Sequence, residues 1–591
     1  MSSNTSNPSE HSTTRRTGPS LTGKFWEFPE PNEPLINAIL RRVEVSEILA
    51  RLLTLRISSA EEAYTFLHPT LKSSLPDPSV LKDMDRAVAR VVQAITAQEP
   101  MLIWGDYDVD GITSTALLLR FFACLGCSVP FYIPMRAHGY GPTQTALEEM
   151  LSQKTPPRVV LMVDCGVTAY ETLQFMKDRN IDVVVLDHHM PEETLPSPYA
   201  LVDTYLPENP ESLRKICAAG LVFLFLVGLN RALRTAIQNY QEPNLLLFLD
   251  LVALGTVCDV MPLTGLNRAY VAQGLKVLEQ QKTMGLREVM RLSGIHRPIT
   301  TYHLAFVFGP RLNAPGRLED ATPSIHLLTA QTKKEAAFWA SELERLNQER
   351  RSLEESVSAK AMAFAEAQKD KPFLVVYGDK WSTGVLGIIA GRIRERFDKP
   401  CCIISFDETG FGRGSGRSVP GVDLGVLIHR AKAMGLLEEG GGHTLAAGFS
   451  ISRSQFADFE AFLVNETQNI VRPTSPIIIE SILGLSAVTP ELVTSLNQLG
   501  PFGAGNLAPR FLFSNVYVEH TRIVGKNHIS CTLSQNDGVR IPGIAFRSVE
   551  TSLETVLFAR DGLYDIVGTL EINTWQGKTA AQIHIEDMGK G

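Results

Sequence analysis

Three runs of aliphatic residues in the first half of the chain each lead into aspartate. The runs are residues 101–105 before Asp106, Asp108 and Asp110, residues 159–163 before Asp164, and residues 183–186 before Asp187, His188 and His189. Near-continuous apolar runs of this length predict buried parallel strands. Ligands of such sheets bind beyond the carboxyl ends of the strands, so these acids and imidazoles should converge. That much negative charge in one cleft predicts bound divalent metal.

The rest of the chain predicts a protein of several domains. Helical patterns over residues 111–122 and 171–177 separate the runs, and residues 129–133 form a further strand, so the sheet is mostly parallel. The predicted organisation is a disordered tail (1–24), an N-terminal helical region (25–95), a catalytic α/β lobe (96–330), a connector helix (331–370), a second α/β lobe (371–472) and a small antiparallel barrel (473–591).

Composition excludes some functions. A formal charge of -8 argues against a broadly basic nucleic-acid coat, although a local basic groove remains compatible with it. The apolar stretches 220–229 and 245–261 are short or carry aspartate, so we expect buried helices and no membrane span. The eight cysteines are scattered, with Cys124 and Cys127 as the only C-x-x-C pair, which suits a reducing cytoplasm.

Each acidic motif has a simpler structural explanation when taken alone. Taken alone, the first motif is better explained as an Asx-rich turn that caps the next helix, with Asp110 near the N-cap. This explanation weakens because acids recur at equivalent strand ends. Asp259 ends an apolar helix, where a carboxylate opposes the helix dipole unless a cation offsets it. Oxygen-rich sites with imidazole favour Mg²⁺ or Mn²⁺, and two such ions commonly serve phosphoryl hydrolysis.

These motifs resemble the signature of the DHH phosphoesterase superfamily. The matching segments are residues 106–111, Asp164, Asp187-His188-His189 and residues 255–259, with residues 440–443 and 446–449 similar to the glycine-rich motif of the associated DHHA1 domain. Residues 309–317, 381–390, 414–418 and 501–506 are similar to one exonuclease branch of the superfamily. One position departs from that branch, because Ser382 follows Trp381 where histidine is usual.

The resemblance implies an enzyme that degrades single-stranded DNA from its 5′ end to 5′ mononucleotides, in DNA repair and recombination. It implies two α/β lobes joined by a long helix and followed by an oligonucleotide-binding (OB) barrel. The implied metal ligands are Asp106, Asp108, Asp110, Asp164, His188 and Asp259, for two Mn²⁺ or Mg²⁺ ions. The implied catalytic residues are Asp164, Asp187 and His189, with His189 as the acid near the scissile bond.

A 5′-end nuclease must also hold phosphate. Arginine suits this task, and glycine-rich backbone can approach phosphate closely, although each such residue alone is equally a surface arginine or a plain loop. The candidate phosphate or nucleic-acid contacts are Arg136, Arg311, Arg317, Ser415, Arg417, Gly442 and His443. We expect Arg311 and Arg317 to lie in a Pro/Gly-rich loop over residues 309–317. Candidate base-stacking residues in the barrel, most of them expected to be core, are Phe502, Phe511, Phe513, Tyr517, His528, Phe546 and Trp575.

Two other functions remain open at this stage. One is a phosphodiesterase of the same superfamily that acts on short oligonucleotides. The other is a non-catalytic replication scaffold. For the exonuclease we expect a cytoplasmic monomer whose partner is single-stranded DNA, with a single-strand-binding protein and a helicase as further partners.

Overall fold

The computed structural model describes residues 13–15, 19–135, 144–152, 155–295, 297–470, 476–575 and 578–591. The strands are β1 (Thr13–Arg15), β2 (Trp26–Pro29), β3 (Met101–Trp104), β4 (Phe131–Tyr132), β5 (Val159–Val163), β6 (Asp182–Asp187), β7 (Ala200–Asp203), β8 (Leu374–Asp379), β9 (Cys401–Phe406), β10 (Phe411–Arg417), β11 (Glu439–His443), β12 (Ala446–Ser452), β13 (Ile477–Ile478), β14 (Ser481–Ile482), β15 (Phe511–Val524), β16 (His528–Ser534), β17 (Arg540–Ala545), β18 (Tyr564–Trp575) and β19 (Lys578–Lys590).

The helices precede, connect and cover these strands. They are α1 (Glu33–Arg42), α2 (Glu47–Leu53), α3 (Ala60–Leu67), α4 (Leu71–Ser74), α5 (Met84–Thr96), α6 (Val109–Cys124), α7 (Gln144–Leu151), α8 (Tyr170–Asp178), α9 (Ala218–Ala236), α10 (Leu249–Cys258), α11 (Gly265–Glu279), α12 (Met284–Ser293), α13 (Thr301–His303), α14 (Gly309–Leu318), α15 (Thr322–Thr329), α16 (Lys333–Ala367), α17 (Thr383–Phe397), α18 (Leu424–Ala433), α19 (Phe456–Thr467), α20 (Pro490–Leu496) and α21 (Ser552–Ala559). A π-helical segment, Leu304–Phe308, joins α13 to α14 in one continuous helix.

The chain divides into two compact units. The larger unit comprises Leu75–Met261 and Gly265–Pro473 and contains both α/β lobes. The smaller unit combines the residues up to Ser74 with Pro262–Thr264 and the residues from Thr474 onward. The predicted N-terminal helical region, 25–95, is therefore shared between the two units.

The first lobe is built on a parallel sheet in the order β4-β3-β5-β6-β7. Every residue of β3, β5 and β7 is buried, which explains why these segments have no polar alternation. Because β3, β5 and β6 are neighbours and run the same way, the aspartates that follow or end them lie at the same edge of the sheet. The predicted α/β fold class is confirmed, and the geometry of this edge is what positions the site.

The second lobe has a mixed sheet in the order β11-β12-β10-β9-β8, in which only β8 and β9 are parallel. The glycine-rich residues 412–417 and 440–442 lie in β10 and β11, so the alternative reading of plain loops does not hold. Aromatic rings occupy the space that side chains would take. An added Cβ at Gly414 would lie 2.2 Å from the ring of Phe449, so this strand needs glycine for packing and not for a turn.

Helix α16 connects the two lobes, as predicted. Its first turn carries a capping box, in which Thr332 accepts a hydrogen bond from the Glu335 N–H and the Glu335 side chain accepts one from the Thr332 N–H. It runs without interruption for 35 residues. The C-terminal region forms a closed five-stranded barrel, β15-β16-β17-β19-β18, because β18 pairs again with β15. The predicted barrel is confirmed, with one parallel pair, β17–β19, among its antiparallel pairs.

The N-terminal residues belong to the core of the barrel unit. Helices α1 to α3 bury Ile36, Ile39, Leu49 and other apolar side chains in one cluster with the barrel strands. Before them, β1 pairs with β2, and β2 pairs with β13. Residues 13–15 form strand β1, so the prediction of a disordered tail was wrong for these residues.

Arg56 makes a buried set of polar contacts inside this unit. Its guanidinium binds both carboxylate oxygens of Glu480 at 2.5 and 3.0 Å, and it also donates to the Leu52 and Leu507 carbonyls and to the Asn506 side chain. The ion pair is largely buried, with side-chain exposures of 9% and 11%. The N-terminal helices are thus joined to the C-terminal segment by a buried ion pair, and removing either side chain would leave the other charge buried without a partner.

We expect Arg56→Met to destabilise the barrel unit by roughly 3–5 kcal/mol, because Glu480 would remain buried without its counter-charge. The measurement is hydrogen exchange of the barrel amides along a urea series. Arg42→Met is the matched control, since the Arg42–Glu61 pair is exposed and its loss should cost less than about 1 kcal/mol. Equal effects of the two substitutions would contradict this assignment.

Helix α9 is the one helix among the described residues that is long and apolar enough to cross a membrane. However, 72% of its most apolar window is buried inside the protein, as in the core helix of a globular domain.

Candidate active site

The loop after β3 holds the first group of acids. Asp108 is the N-cap of α6, and its Oδ1 accepts hydrogen bonds from the N–H groups of Asp110 and Gly111 at 2.9 and 3.2 Å. Asp110 lies inside the first turn and not at the cap. Its carboxylate accepts hydrogen bonds from Ala218 N–H and Ala219 N–H at the start of α9, at 2.6 and 3.0 Å. The capping explanation is therefore correct for Asp108. It does not explain Asp106 and Asp110, which are buried near Asp108.

Asp164 and Asp187 follow the neighbouring strands. Asp164 comes directly after β5 in a left-handed conformation, with φ of 61°, a strained backbone that asparagine and aspartate tolerate best. Asp187 ends β6 and accepts hydrogen bonds from the N–H groups of Val167 and His188, at 3.0 and 2.8 Å. Both carboxylates are almost completely buried.

The two adjacent histidines have different surroundings. The Nε2 atom of His188 lies 3.1 Å from Asp164 Oδ1, 3.5 Å from Asp110 Oδ2 and 3.7 Å from Asp259 Oδ2. His189 instead places its Nδ1 atom 2.7 Å from Asp187 Oδ1 and remains partly exposed. His188 thus points into the group of carboxylates, whereas His189 is oriented by Asp187.

Three overlapping groups of side chains could each hold a metal ion. In every group the candidate ligand atoms lie within 4.8 Å of one another. The first group is Asp106, Asp108 and Asp164, and the second is Asp110, His188 and Asp259. The third group is Asp164, His188 and His189. All six predicted ligands therefore meet at one place, although they come from four separate parts of the chain.

Burial and mutual repulsion oppose ionisation of these acids. Burial, followed by the charges of Asp110 and Asp108, raises the pKa of Asp259 to about 9. Burial and the charge of Asp108 raise the pKa of Asp110, although the charge of His188 opposes them. Burial and the charges of four neighbouring carboxylates raise the pKa of Asp164 more strongly. Without a cation, the Asp259 carboxyl would therefore hold a proton near neutral pH.

The Asp187–His189 pair behaves in the opposite way. Burial alone would raise the pKa of Asp187, but the hydrogen bond and charge of His189 lower it to about 2. Burial alone would lower the pKa of His189, but its hydrogen bond to Asp187 and the nearby negative charges raise it to about 9. The pair is therefore an imidazolium held by a carboxylate, which fixes the orientation of the ring.

The residues fit divalent metal. The buried Oδ2 atom of Asp259 has no hydrogen-bond partner among the residues that the structure describes. Such an atom is costly unless something outside the protein binds it. The donor set of carboxylate oxygens with one imidazole is the one that Mg²⁺ and Mn²⁺ prefer.

Asp203 is a buried acid near this site that the sequence analysis missed. It ends β7 directly opposite Asp187 in the ladder, and burial, together with the charge of Asp187, raises its pKa to about 7. Its Oδ1 accepts the Tyr205 N–H at 2.7 Å. The signal was present, because residues 200–203 are another aliphatic run that ends in aspartate.

A second cluster forms around the first turns of α17 in the other lobe. Arg317 donates to the Gly384 carbonyl at 3.1 Å. One turn later, an added Cβ at Gly387 would lie 3.0 Å from the Arg417 guanidinium and 3.1 Å from Ser415 Oγ. Arg317, Ser415 and Arg417 are thus brought together, and Ser382 is the N-cap of the same helix.

Helix α14 joins this cluster to the acidic site. The prediction that residues 309–317 form a loop was wrong, because they are helical despite Pro315. Their glycines allow close approach, since an added Cβ at Gly316 would lie 2.7 Å from the Tyr107 carbonyl oxygen. Gly316 therefore packs on the loop of Asp106 and Asp108, while the next residue, Arg317, reaches α17.

The remaining predicted contacts are more dispersed. Arg311 forms an ion pair with Glu344 of α16 at 2.7 Å and donates to the Val307 carbonyl, so it has structural partners. Gly442 and His443 lie in β11. His443 is paired with Ala446 of β12, and Ala446 is paired with Arg417 of β10, so His443 and Arg417 are two strands apart in the sheet. Arg136 lies outside the described residues.

Among the side chains that the structure describes, three of the seven candidate barrel aromatics, Phe502, Phe511 and Phe513, pack in or against the core, fewer than expected. Phe511 and Phe513 are fully buried, whereas Tyr517 and Phe546 are exposed by 39% and 50%. His528 packs edge-on against Phe546, with ring centroids 5.1 Å apart. The side chain of Trp575 is outside the described part of the chain. The exposed rings are the ones available for stacking on bases.

Val260, directly after Asp259, has a strained backbone. Its φ is 58°, which is unusual for a β-branched residue, and its side chain is 69% exposed. It ends α10 in a Schellman motif, with Met261 N–H bound to the Thr256 carbonyl and Val260 N–H to the Val257 carbonyl. Glycine is the usual residue at this position.

We expect Val260→Gly to raise the free energy of unfolding of the larger unit by about 0.5–1 kcal/mol, because relief of the strain exceeds the entropy cost of glycine. The measurement is denaturant unfolding. Val426→Gly is the matched control, because this exposed valine lies in the right-handed helix α18, where the same change should destabilise by about 0.5 kcal/mol. A loss of stability in both variants would show that Val260 is unstrained.

The parallel sheet with its acidic edge, the connector helix and the second lobe define a DHH-type phosphoesterase. The models for the DHH family N-terminal domain, the DHHA1 domain and the RecJ OB domain match residues 100–256, 370–469 and 479–587. The chain is 31% identical to the single-stranded-DNA-specific exonuclease RecJ of Bacillus subtilis, and the match covers 95% of this chain and 70% of that relative. It is 30% identical to the single-stranded-DNA-specific exonuclease RecJ of Escherichia coli, and that match covers 93% of this chain and 98% of the relative.

A solved structure agrees with these matches. RecJ from Thermus thermophilus in complex with Mn²⁺ superimposes with a TM-score of 0.81 and 28% identity, covering 96% of this chain and 79% of that one. The same protein in complex with Mg²⁺ gives a TM-score of 0.74 and 27% identity, over 96% and 78%. The chain belongs to the RecJ family.

Proposed function

We propose that this protein is a cytoplasmic exonuclease that hydrolyses single-stranded DNA from the 5′ end and releases 5′ mononucleotides. The observation that carries the proposal is the convergence of Asp106, Asp108, Asp110, Asp164, His188 and Asp259 within one family-specific fold. The curated relatives are named as exonucleases specific for single-stranded DNA, and the related crystal structures contain Mn²⁺ or Mg²⁺.

These six side chains would hold two divalent ions. Bound there, the ions would stabilise negative charge on the phosphodiester oxygens and lower the pKa of the attacking water. Asp110 and Asp108 are held in place by backbone N–H groups, so they need no rearrangement to act. His189, fixed by Asp187 and protonated in the metal-free protein, would donate a proton or a hydrogen bond to the phosphate or the leaving oxygen.

The 5′-to-3′ direction of digestion would be set by the cluster of Arg317, Ser415 and Arg417 around α17. Arg317, Ser415 and Arg417, together with the N–H groups that begin α17, form a cationic surface of the kind that binds a terminal phosphate. Gly442 and His443 would contact the DNA further along the same sheet, and Arg136 would contribute a further phosphate contact. Tyr517 and Phe546 of the barrel would add affinity by stacking.

The test is digestion of single strands labelled at either end, with Mn²⁺ or Mg²⁺, beside a duplex and a dinucleotide. We expect early release of the 5′ label as a mononucleotide, retention of the 3′ label on shortening products, and little digestion of duplex. Release from the 3′ end would overturn the polarity. Faster turnover of the dinucleotide than of the strand would instead indicate a phosphodiesterase of short oligonucleotides, and no hydrolysis with either metal would indicate a scaffold.

In the cell we further propose that the enzyme acts as a monomer in DNA repair and recombination. A helicase would supply the single strand, and a single-strand-binding protein would deliver it.

A further inference from the structure

Two aromatic side chains on the continuous helix 301–318 are exposed together. Tyr302 and Phe306 are 62% and 57% exposed, and their rings lie 5.1 Å apart with a tilt of 36°. They are four positions apart, and the contact between their rings shows that they occupy the same face of the helix. The next buried residues, Leu304 and Phe308, anchor the opposite face. None of the proposed catalytic or phosphate-binding roles uses this pair.

The helix that carries the pair is attached to the acidic site. The thiol of Cys258, the residue before Asp259, lies 3.5 Å from the Leu304 carbonyl oxygen, with the geometry of a weak hydrogen bond. An added Cβ at Gly309 would lie 2.8 Å from the same sulfur atom. The segment between them is π-helical, a distortion that is costly and frequent at functional sites.

The helix that carries the rings continues toward the phosphate cluster. Residues 301–318 form one continuous helix, and Arg317 near its far end contacts α17. Arg317 lies fifteen positions after Tyr302 along the chain, which corresponds to about 22 Å at roughly 1.5 Å per residue. A dinucleotide spans only about 7 Å when stacked, so a substrate must be longer to reach both ends.

We propose that Tyr302 and Phe306 stack on nucleobases of the substrate strand, several nucleotides from the scissile bond. This inference rests on the proposed nuclease function and names a binding site for it. Bases are the favoured occupant because two adjacent flat rings offer a surface that accepts any base, and because the same helix carries a candidate phosphate ligand, Arg317, near its other end. The pair would lower KM for long strands and would not affect the contacts that a dinucleotide makes.

The experiment compares kcat/KM for a 20-nucleotide strand and for a dinucleotide, both 5′-phosphorylated. For the double variant Tyr302→Ser, Phe306→Ser we expect the ratio of these two values to fall at least about tenfold, the effect of losing roughly one stacked base. The variant Tyr302→Trp, Phe306→Trp should restore it. Phe338→Ser is the matched control, because Phe338 is equally exposed, at 62%, on α16.

A second readout does not need catalysis. In an Asp164→Ala background, strands with 2-aminopurine at successive positions should show a fluorescence change at positions beyond the second nucleotide, and the double serine variant should abolish it. An unchanged ratio or an unchanged fluorescence signal would overturn the stacking site. If the unsubstituted enzyme degrades no single strand, the proposed function itself fails, which is a separate result.

Discussion

Asp164→Ala will lower kcat for single-strand hydrolysis by about a thousandfold or more. Asp164 belongs to two of the three candidate ligand groups, so its loss weakens both ion sites. Removing metal stabilisation of several kcal/mol corresponds to about three powers of ten, at 1.36 kcal/mol per tenfold. The measurement is the initial rate of mononucleotide release at saturating Mn²⁺.

The fold should survive this substitution. Burial and four neighbouring carboxylates raise the pKa of Asp164, so removing its carboxyl relieves repulsion in the metal-free protein. Alanine is strained at a φ of 61°, whereas asparagine tolerates it, so Asp164→Asn separates loss of the carboxylate from backbone strain. Asp178→Ala, in an exposed turn of α8, is the matched control. Metal-dependent activity near the original rate in both Asp164 variants would refute the site.

His189→Ala will lower kcat by about 10²–10⁴, the usual contribution of a positioned acid or base, while Mn²⁺ binding is retained. The reason is geometric: the Nδ1 atom of His189 is held by Asp187 at 2.7 Å, and His189 belongs to one of the three candidate ligand groups, whereas His188 and Asp164 each belong to two. The measurements are kcat and calorimetric titration with Mn²⁺.

The adjacent histidine provides the comparison. His188 lies within 3.7 Å of three candidate ligands, so His188→Ala should lose metal affinity as well as activity. If the two alanine variants lost Mn²⁺ affinity equally, the assignment of separate roles to the two histidines would be wrong.

The acidic site could be predicted because strand direction places distant residues together. Aliphatic runs before Asp106, Asp164 and Asp187 specify buried parallel strands, and such strands present their carboxyl ends at one edge. What strand patterns cannot show is how side chains divide the space at that edge. The separation of His188 from His189, and the burial of Asp203, follow from contacts that form only on packing.

The glycine-rich segments were misread for a physical reason. Glycine in a sequence usually indicates a turn, but here it allows close packing. Gly414 leaves room for the ring of Phe449, and Gly316 for the carbonyl of Tyr107. Both requirements are set by partners far away in the chain, so local propensity predicts loops where the structure has a strand and a helix.

The shared core of the smaller unit affects how the protein can be made. Helices α1 to α3 bury Ile36, Ile39 and Leu49 against strands that begin only at Phe511. At 5–20 residues per second, a ribosome needs roughly 20–95 s to synthesise the intervening chain. During that interval the helices lack the partners of their apolar faces, whereas the catalytic lobes can already close. We therefore expect the apolar faces of these helices to be exposed to premature association until the barrel strands have been synthesised.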